Sequence, residues 1–352
     1  MQLLRIRAEH FRCVHQAELA LAAQGNCIVG ENGAGKTSLL EAMYLLATGR
    51  TQRGDGLQIV TDGETACTVF GELKLSDGTQ RRAGVERGRD GSRMRLDGTD
   101  CTRTDLVSTL PLLLLNPALH ALVEEGPEER RRFLDWGVFH VEHGFHDSWR
   151  RYRRLLKQRN ADLQGGSGEV QHWDVALQKE AEVLDAQRRH YLESLAPHLQ
   201  TLAARLFRDE DVGVEYQRGW PQEEQLGETL QRNLGSDRER GYTRAGPHRA
   251  DLRLKLGGAA ARKRLSRGEQ KLLSLLLTLA QIRLHLHSDR EPPVLLLDDL
   301  AAELSTARRE QVMALLEESG IQYVMTAIET PPDPGGNLRM FHVEHGVVTA
   351  PE

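Results

Sequence analysis

The sequence predicts an α/β fold with an antiparallel β subregion and an inserted helical hairpin, and three observations carry that prediction. Near the amino end, a G-x-x-x-x-G-K-T run from Gly30 to Thr37 joins an apolar stretch, Cys27-Ile28-Val29, to a segment with amphipathic-helix spacing, Ser38 to Met43. Near the carboxyl end, a second apolar run, Leu295-Leu296-Leu297, ends in the paired carboxylates Asp298 and Asp299. Between them lies a long arginine-rich stretch of helical pattern, broken by Gly165-Gly166-Ser167-Gly168 and flanked by regions of strand pattern.

At 352 residues the chain exceeds the size that one core usually serves, so two lobes or an insertion are expected. A formal net charge of -5 gives no hint of nucleic acid, and any anionic partner must be met by local basic patches. Cys13, Cys27, Cys67 and Cys101 form no C-x-x-C pair, which argues against a zinc cluster or a disulfide framework. No apolar run approaches about 18 residues, and Met1 to Ile6 lacks the apolar centre of a signal peptide. A cytoplasmic location is the default.

Taken in order, residues 3 to 29 read as short strands, with Leu4, Ile6 and Ala8 alternating with charged neighbours. The helix after Thr37 should end near Gly49. To about residue 110 the pattern is strand and turn, with Val69, Gly71, Leu73 and Leu75 on one side and hairpin-type turns at Asp77-Gly78 and Asp97-Gly98. Arg81, Arg82, Arg87, Arg89, Arg93 and Arg95 crowd this region, either as a phosphate-binding edge or as charges that guard a sheet edge. Pro111 to Pro117 reads as a buried strand. From Glu128 the pattern is helical and basic, with Trp149, Tyr152, Leu156 and Leu163 on one face and arginines largely around the others. A second helix carries Leu177, Ala181, Leu184, Tyr191, Leu195 and Leu202, interrupted at Arg188, Pro197 and His198. Two such helices joined by a glycine turn make an antiparallel hairpin, an arm of roughly 30 Å, or else part of a plain bundle. Val212 to Tyr216 and Asp251 to Leu256 return to strand pattern, with a polar, turn-rich stretch from Gly235 to Pro247 between them. The last third is a helix over Gly268 to Leu286, a buried strand at Val294 to Leu297, a helix over Thr306 to Glu317 and a strand at Ile321 to Met325. Phe139-His140-Val141-Glu142-His143-Gly144 recurs word for word at Phe341 to Gly346, and neither copy has a recognised zinc spacing.

The chemistry follows from those placements. In a glycine-rich loop, Gly30, Glu31, Asn32, Gly33, Ala34 and Gly35 turn backbone N–H groups around a polyphosphate, while the helix behind directs its positive end at the same charge. Lys36 would reach the β- and γ-phosphates, and the Thr37 hydroxyl would ligate Mg²⁺. Asp298, at the carboxyl end of its strand, would hold the same Mg²⁺, and Asp299 would polarise the attacking water. Ser266-Arg267-Gly268-Glu269 reads as a capping box for the helix that follows. It is also a second anion-seeking helix start, which suggests a nucleotide sandwiched between two chains, with Ser266 and Gly268 of one closing on the γ-phosphate held by the other.

Gly30 to Thr37, Leu265 to Gln270 and Leu295 to Asp299 resemble the phosphate loop, signature and carboxylate strand of ABC-type ATPase heads, of the branch that works on DNA. Within it the chain resembles the RecF family, through Phe11-Arg12, Gly126-Pro127, the block Arg131 to Gly137 with Phe139-His140, and Gly246-Pro247-His248-Arg249-Ala250-Asp251. The resemblance implies an ABC-type ATPase head (a P-loop NTPase) split between residues 1–125 and 208–352, with an arm at 126–207. It implies ATP and Mg²⁺ as cofactors and Arg12 near the nucleotide. It also implies a weak, DNA-stimulated ATPase that forms a homodimer with ATP, binds single-stranded and gapped or junction DNA, and helps load recombinase with mediator proteins of the RecR and RecO type. Three departures bear on turnover: Asp299 stands where such heads generally place Glu, Ser305 where an Asp often ends the following loop, and Thr326-Ala327-Ile328-Glu329 offers no switch histidine. A slow ATPase acting as a timed clamp is expected. Arginines in Arg81 to Arg95, Arg130 to Arg132 and Arg150 to Arg159 are the candidate DNA contacts. A monomeric small-molecule kinase would use Lys36, Thr37 and Asp298 but leave Ser266 to Glu269 without a task, and an adaptor that binds ATP without cleaving it is disfavoured by Asp299.

Overall fold

The computed structural model describes residues 1–54, 56–89, 91–116, 120–165, 170–207, 210–299, 304–331 and 338–349. Pro117 and Gly166 to Gly168, singled out above, fall outside the described residues. The chain forms two compact units, Met1–Leu119 with Asp289–Glu352, and His120–Ser288. Elements are numbered along the chain.

The first unit is built from both chain ends. Strands β1 (Gln2–Phe11), β2 (Val14–Ala20), β4 (Ala66–Lys74), β5 (Gln80–Gly88), β6 (Gly91–Leu96) and β7 (Thr99–Asp100) form an antiparallel sheet in the order β2-β1-β4-β5-β6-β7. Asp97 and Gly98 both take positive φ, as a two-residue hairpin turn between right-twisted strands demands. The second sheet contains β3 (Gly25–Val29), β8 (Leu112–Leu115), β12 (Val294–Leu297), β13 (Tyr323–Ala327), β14 (Leu338–Glu344) and β15 (Val347–Thr349) in the order β15-β14-β3-β13-β12-β8. It is parallel except for the β14–β15 hairpin. Its central strands are buried apolar runs, as parallel strands covered on both faces must be.

Helix α1 (Lys36–Thr48) contacts strands of both sheets. The expected amphipathic character is therefore replaced by burial nearly all round, with Leu39, Leu40, Met43, Leu45 and Leu46 each at most 1% exposed. It ends at Gly49, whose φ of 60° is the left-handed cap expected there. Helix α2 (Arg103–Thr109) starts on a Thr102/Asp105 capping box, and a last helix, α10 (Thr306–Ser319), connects β12 to β13. All four cysteines are free.

The second unit is mainly helical, with α3 (Ala121–Glu124), α4 (Pro127–Val141), α5 (Phe145–Gly165), α6 (Asp174–Leu206), α7 (Leu226–Arg240), α8 (Ala261–Arg264) and α9 (Arg267–Leu286). A small antiparallel sheet, β11-β10-β9, joins Val212–Gln217 (β9), Asp251–Leu256 (β10) and Ala259–Ala260 (β11). The ion pairs Arg151–Glu180 and Arg159–Asp174 run in opposite senses along α5 and α6, which makes the two helices antiparallel. At 21 and 33 residues they span about 32 and 50 Å. Helix α6 also packs against α4, α7, β9 and α9, the helix of the signature segment, and residues 210–288 belong to the same compact unit as the hairpin.

Two local expectations are corrected. Gly235 to Arg240 is helical, because Gln225 and Glu228 form a capping box and Leu226, Thr229, Leu230 and Asp237 bury one face of a polar helix. Arg188, where the apolar spacing of α6 breaks, is fully buried rather than a break in packing, and its guanidinium bonds Asp135 at 2.7 Å.

Candidate nucleotide-binding site

Strand order explains why the site forms. β3 delivers the glycine loop at its carboxyl end, β12 delivers Asp298 at its own, and β13 lies between them. Gly33 and Gly35 have φ of 83° and 113°, conformations that side chains with a Cβ rarely adopt, and Gly35 is the N-cap of α1. No side chain caps this helix start and no acidic residue stands in its first turn. The N–H groups of Lys36, Thr37 and Ser38 therefore face the loop with no intrahelical acceptor, which is the condition for holding an anion. The loop is pinned from outside by Gly346 N–H to Ala34 O at 2.8 Å and Gly30 N–H to Ala327 O at 3.3 Å.

Lys36 is 9% exposed, and its Nζ donates to the carbonyls of Gly30 (2.7 Å) and Glu31 (2.9 Å), so the ammonium is folded across the loop mouth. Thr37 Oγ1 donates to the two Asp298 oxygens at 3.1 and 3.0 Å. Thr326 on β13, absent from the expected site residues, donates to Asp298 Oδ1 at 2.9 Å and accepts from the Asp299 N–H at 2.8 Å. Its hydroxyl fixes both carboxylate-bearing residues, and only the interleaving of β13 between β3 and β12 reveals it. Asp299 sits at φ 51°, a left-handed conformation that Asp tolerates better than most residues.

Arg12 also has positive φ, 56°, and lies where the next residue, Cys13, places its Sγ 3.4 Å from Ser38 Oγ. The Arg12 guanidinium pairs with Glu41, one turn beyond Thr37 on α1, and Arg53 approaches the other oxygen of that carboxylate at 3.3 Å. Burial pushes the Glu41 carboxyl above the usual range, against the opposing pull of Arg12 and Arg53. The signal that could have found Glu41 is a lone acid inside an otherwise apolar helix.

Ser266 to Glu269 belong to the second unit, where all four are exposed. The capping box is formed: Ser266 Oγ accepts from the Glu269 N–H, and Glu269 accepts from the Ser266 N–H and hydroxyl at 2.9 and 2.7 Å. The N–H groups of Arg267 and Gly268 have no intrahelical acceptor.

The basic patches fare unevenly. Arg81 pairs with Asp97 and Arg95 with Asp100; Arg130 pairs with Asp251 at 2.7 Å and Arg132 with Glu128 and Glu129. Arg159 is completely buried between Asp174 and Asp237, which removes it from any surface. Arg150, Arg153, Arg154 and Lys157 remain exposed on α5. His140, from the repeated hexapeptide, packs against the rings of Trp136, Phe139 and His285.

Residues 2–343 match the RecF/RecN/SMC N terminal domain family. The curated DNA replication and repair protein RecF of Stutzerimonas stutzeri (strain A1501) is 39% identical, over 99% of this chain and 97% of its own length. The chain belongs to the RecF family. The RecF of Shewanella baltica (strain OS155 / ATCC BAA-1091) is 38% identical, with both chains fully covered. Among solved structures, the recombination mediator protein RecF with ATP, from the RecFOR pathway, superposes with a TM-score of 0.90 at 24% identity, over all of this chain and 98% of that one. An SMC head bound to the C-terminal winged-helix domain of ScpA superposes with a TM-score of 0.64 at 15% identity, over 100% of this chain and 97% of that one. The RecF fold thus contains an ABC-type head, and its relation to SMC heads lies in architecture. Among the described residues, no helix is long and apolar enough to cross a membrane.

Proposed function

We propose that this RecF-family chain is a cytoplasmic, ATP-dependent DNA-binding protein of replication and recombinational repair, in which slow hydrolysis times the release of a clamp. The observation that carries the proposal is the uncapped start of α1 beside Lys36 and the Thr37–Asp298 pair, an anion site with an adjoining pair of hard oxygen ligands. Gly30 to Gly35 and the first N–H groups of α1 bind the triphosphate, and Lys36 leaves the carbonyls of Gly30 and Glu31 for the β- and γ-phosphates. Thr37 and Asp298, oxygen donors about 3 Å apart, fit Mg²⁺, which takes few protein ligands and completes its shell with phosphate and water. When bound, that ion neutralises charge on the phosphates. Thr326 holds Asp298 in place, and Asp299 orients the attacking water.

Arg12 lies beside α1 through Glu41, in keeping with a role at the nucleotide. Ser266, Arg267 and Gly268 of a second copy close on the γ-phosphate, with Glu269 holding Ser266 through the capping box, so that ATP drives a homodimer. An aspartate at 299 is one methylene shorter than glutamate and holds water less well, which suits a switch better than a motor. By kinship, the dimer works at gaps and single-strand/double-strand junctions with mediators of the RecR and RecO type and aids recombinase loading.

Light scattering with ATP and Mg²⁺ tests the core of this function. Dimers formed by the parent chain and lost in Ser266→Arg, with nucleotide binding kept, support it. A monomer under every condition would overturn it in favour of a kinase-like enzyme.

A further inference from the structure

The buried arginines of the second unit have a structural task. Arg159 donates to Asp237 Oδ2 at 2.9 Å and to Thr243 Oγ1 at 2.8 Å, and Asn160 Oδ1 accepts from both the N–H and the hydroxyl of Thr243. Arg188 donates to the carbonyl of Pro247 at 2.8 Å. His248 Nε2 donates to the Thr243 carbonyl at 3.0 Å, which leaves Nδ1 to accept from the Tyr152 hydroxyl at 2.6 Å. Gly246, at φ 132°, lets the chain pass where a Cβ would come within 2.3 Å of that same hydroxyl. Burial pushes His248 down to about 4, so the ring is neutral and the tautomer fixed at neutral pH. Through Thr243, Pro247 and His248 these contacts fix the segment between Gly241 and Ala250 from its inner side, and Asp237 ties the end of α7 to Arg159.

Its outer side presents Arg240, Arg244 and Arg249, all exposed, around Tyr242, which is 38% exposed. The Arg249 guanidinium lies over the Tyr242 ring, 5.2 Å from its centroid, and the nearby Arg240 holds the phenol below its usual pKa. Arg244 N–H is tied to Asp237 Oδ1 at 3.2 Å. None of these three arginines forms an ion pair with any described residue, whereas Arg81, Arg95, Arg130, Arg132 and Arg151 are each matched by a carboxylate. Compensation of the α7 dipole accounts for cations in its last turn, such as Arg240, but not for Arg244 and Arg249 beyond it.

We propose that Tyr242 with Arg240, Arg244 and Arg249 is a preformed contact surface for the phosphate backbone of a DNA strand, presented by the buried Arg159 and Arg188. A rigid cluster of unpaired guanidiniums matches phosphate oxygens without reading bases, and loses little ordering entropy on binding. This surface rests on the DNA-binding function proposed above, and deepens it by naming where the strand lies.

Fluorescence anisotropy of a labelled gapped duplex, with ATP and over a range of salt, provides the test. In the triple variant Arg240→Ala, Arg244→Ala, Arg249→Ala the slope of log affinity against log salt should flatten by about one unit per arginine. Affinity should fall at every DNA sequence while ATP affinity stays unchanged. Tyr242→Ala, which removes the ring beneath Arg249, should weaken binding several-fold, and Tyr242→Phe should retain most of it. If the parent chain binds DNA and the triple variant keeps its affinity and slope, the surface is refuted and the DNA-binding function stands. If the parent chain itself fails to bind DNA at low salt, both fall.

Discussion

Two helix starts in this chain carry glycine and seek negative charge, yet they are finished differently. The start of α1 has Gly35 as its N-cap, no capping side chain, no acid in the first turn, and a buried lysine folded over it. The start of α9 has Ser266 as its N-cap, and Glu269 already accepts from the serine's N–H and hydroxyl. At the first, no side chain competes for the helix N–H groups, so an anion meets free donors there. At the second, a phosphate must share the helix end with a carboxylate or displace it, which makes a weaker, conditional site. Under the proposed function, the difference separates a place that binds nucleotide alone from one that would respond only when nucleotide is already held by a second copy.

The sharpest way to break this comparison is to stop turnover without touching either helix start. Asp299→Asn should lower phosphate release by about 10² to 10⁴-fold while ATP affinity is kept, because it removes the group assigned to orient water. Equal loss of binding would mean that Asp299 is part of the binding site instead. Lys36→Met removes a charge-assisted contact worth about 1.5–3 kcal/mol, so fluorescent-nucleotide titration should show roughly 10- to 150-fold weaker binding and no nucleotide-driven dimer. Ser266→Arg at the other helix start should leave that titration within about twofold, yet abolish dimers in light scattering. The smallest effect is expected from Glu269→Ala. Loss of the box should lower stability to urea by about 0.3–1.5 kcal/mol, while the freed serine hydroxyl keeps the dimer. Loss of the dimer in Glu269→Ala would show that the carboxylate is needed there rather than displaced.

Much of the nucleotide site is legible in sequence because its parts are local. A loop of fixed spacing, a strand before it, a helix after it and an acid at a strand end each occupy a few consecutive residues, from Cys27 to Thr37 and from Leu295 to Asp299. Thr326 and Glu41 are not legible in this way. Thr326 matters because β13 is inserted between two strands distant in sequence, and Glu41 matters because Arg12 and Arg53 arrive from other segments. Arg159 was misplaced for a related reason: helical spacing assigns it to a basic face, but Asp174, Asp237 and Thr243 converge on it and bury it.

The repeated hexapeptide marks the boundary between the two kinds of information. At 139–144 it closes α4, with His140 buried and Phe139 partly exposed; at 341–346 it is strand β14 and the turn at His345 and Gly346, with Phe341 buried and His342 exposed. The glycine keeps its conformation in both, a positive φ in the link just before the next element. The sequence by itself determined the phosphate loop, the carboxylate strand and the alternation of strand and helix, since these follow from steric and periodic rules within a few residues. Tertiary structure decided which arginines face water, which hydroxyl fixes Asp298 and which form six identical residues take, because burial and ion pairing depend on partners that only the folded chain brings near.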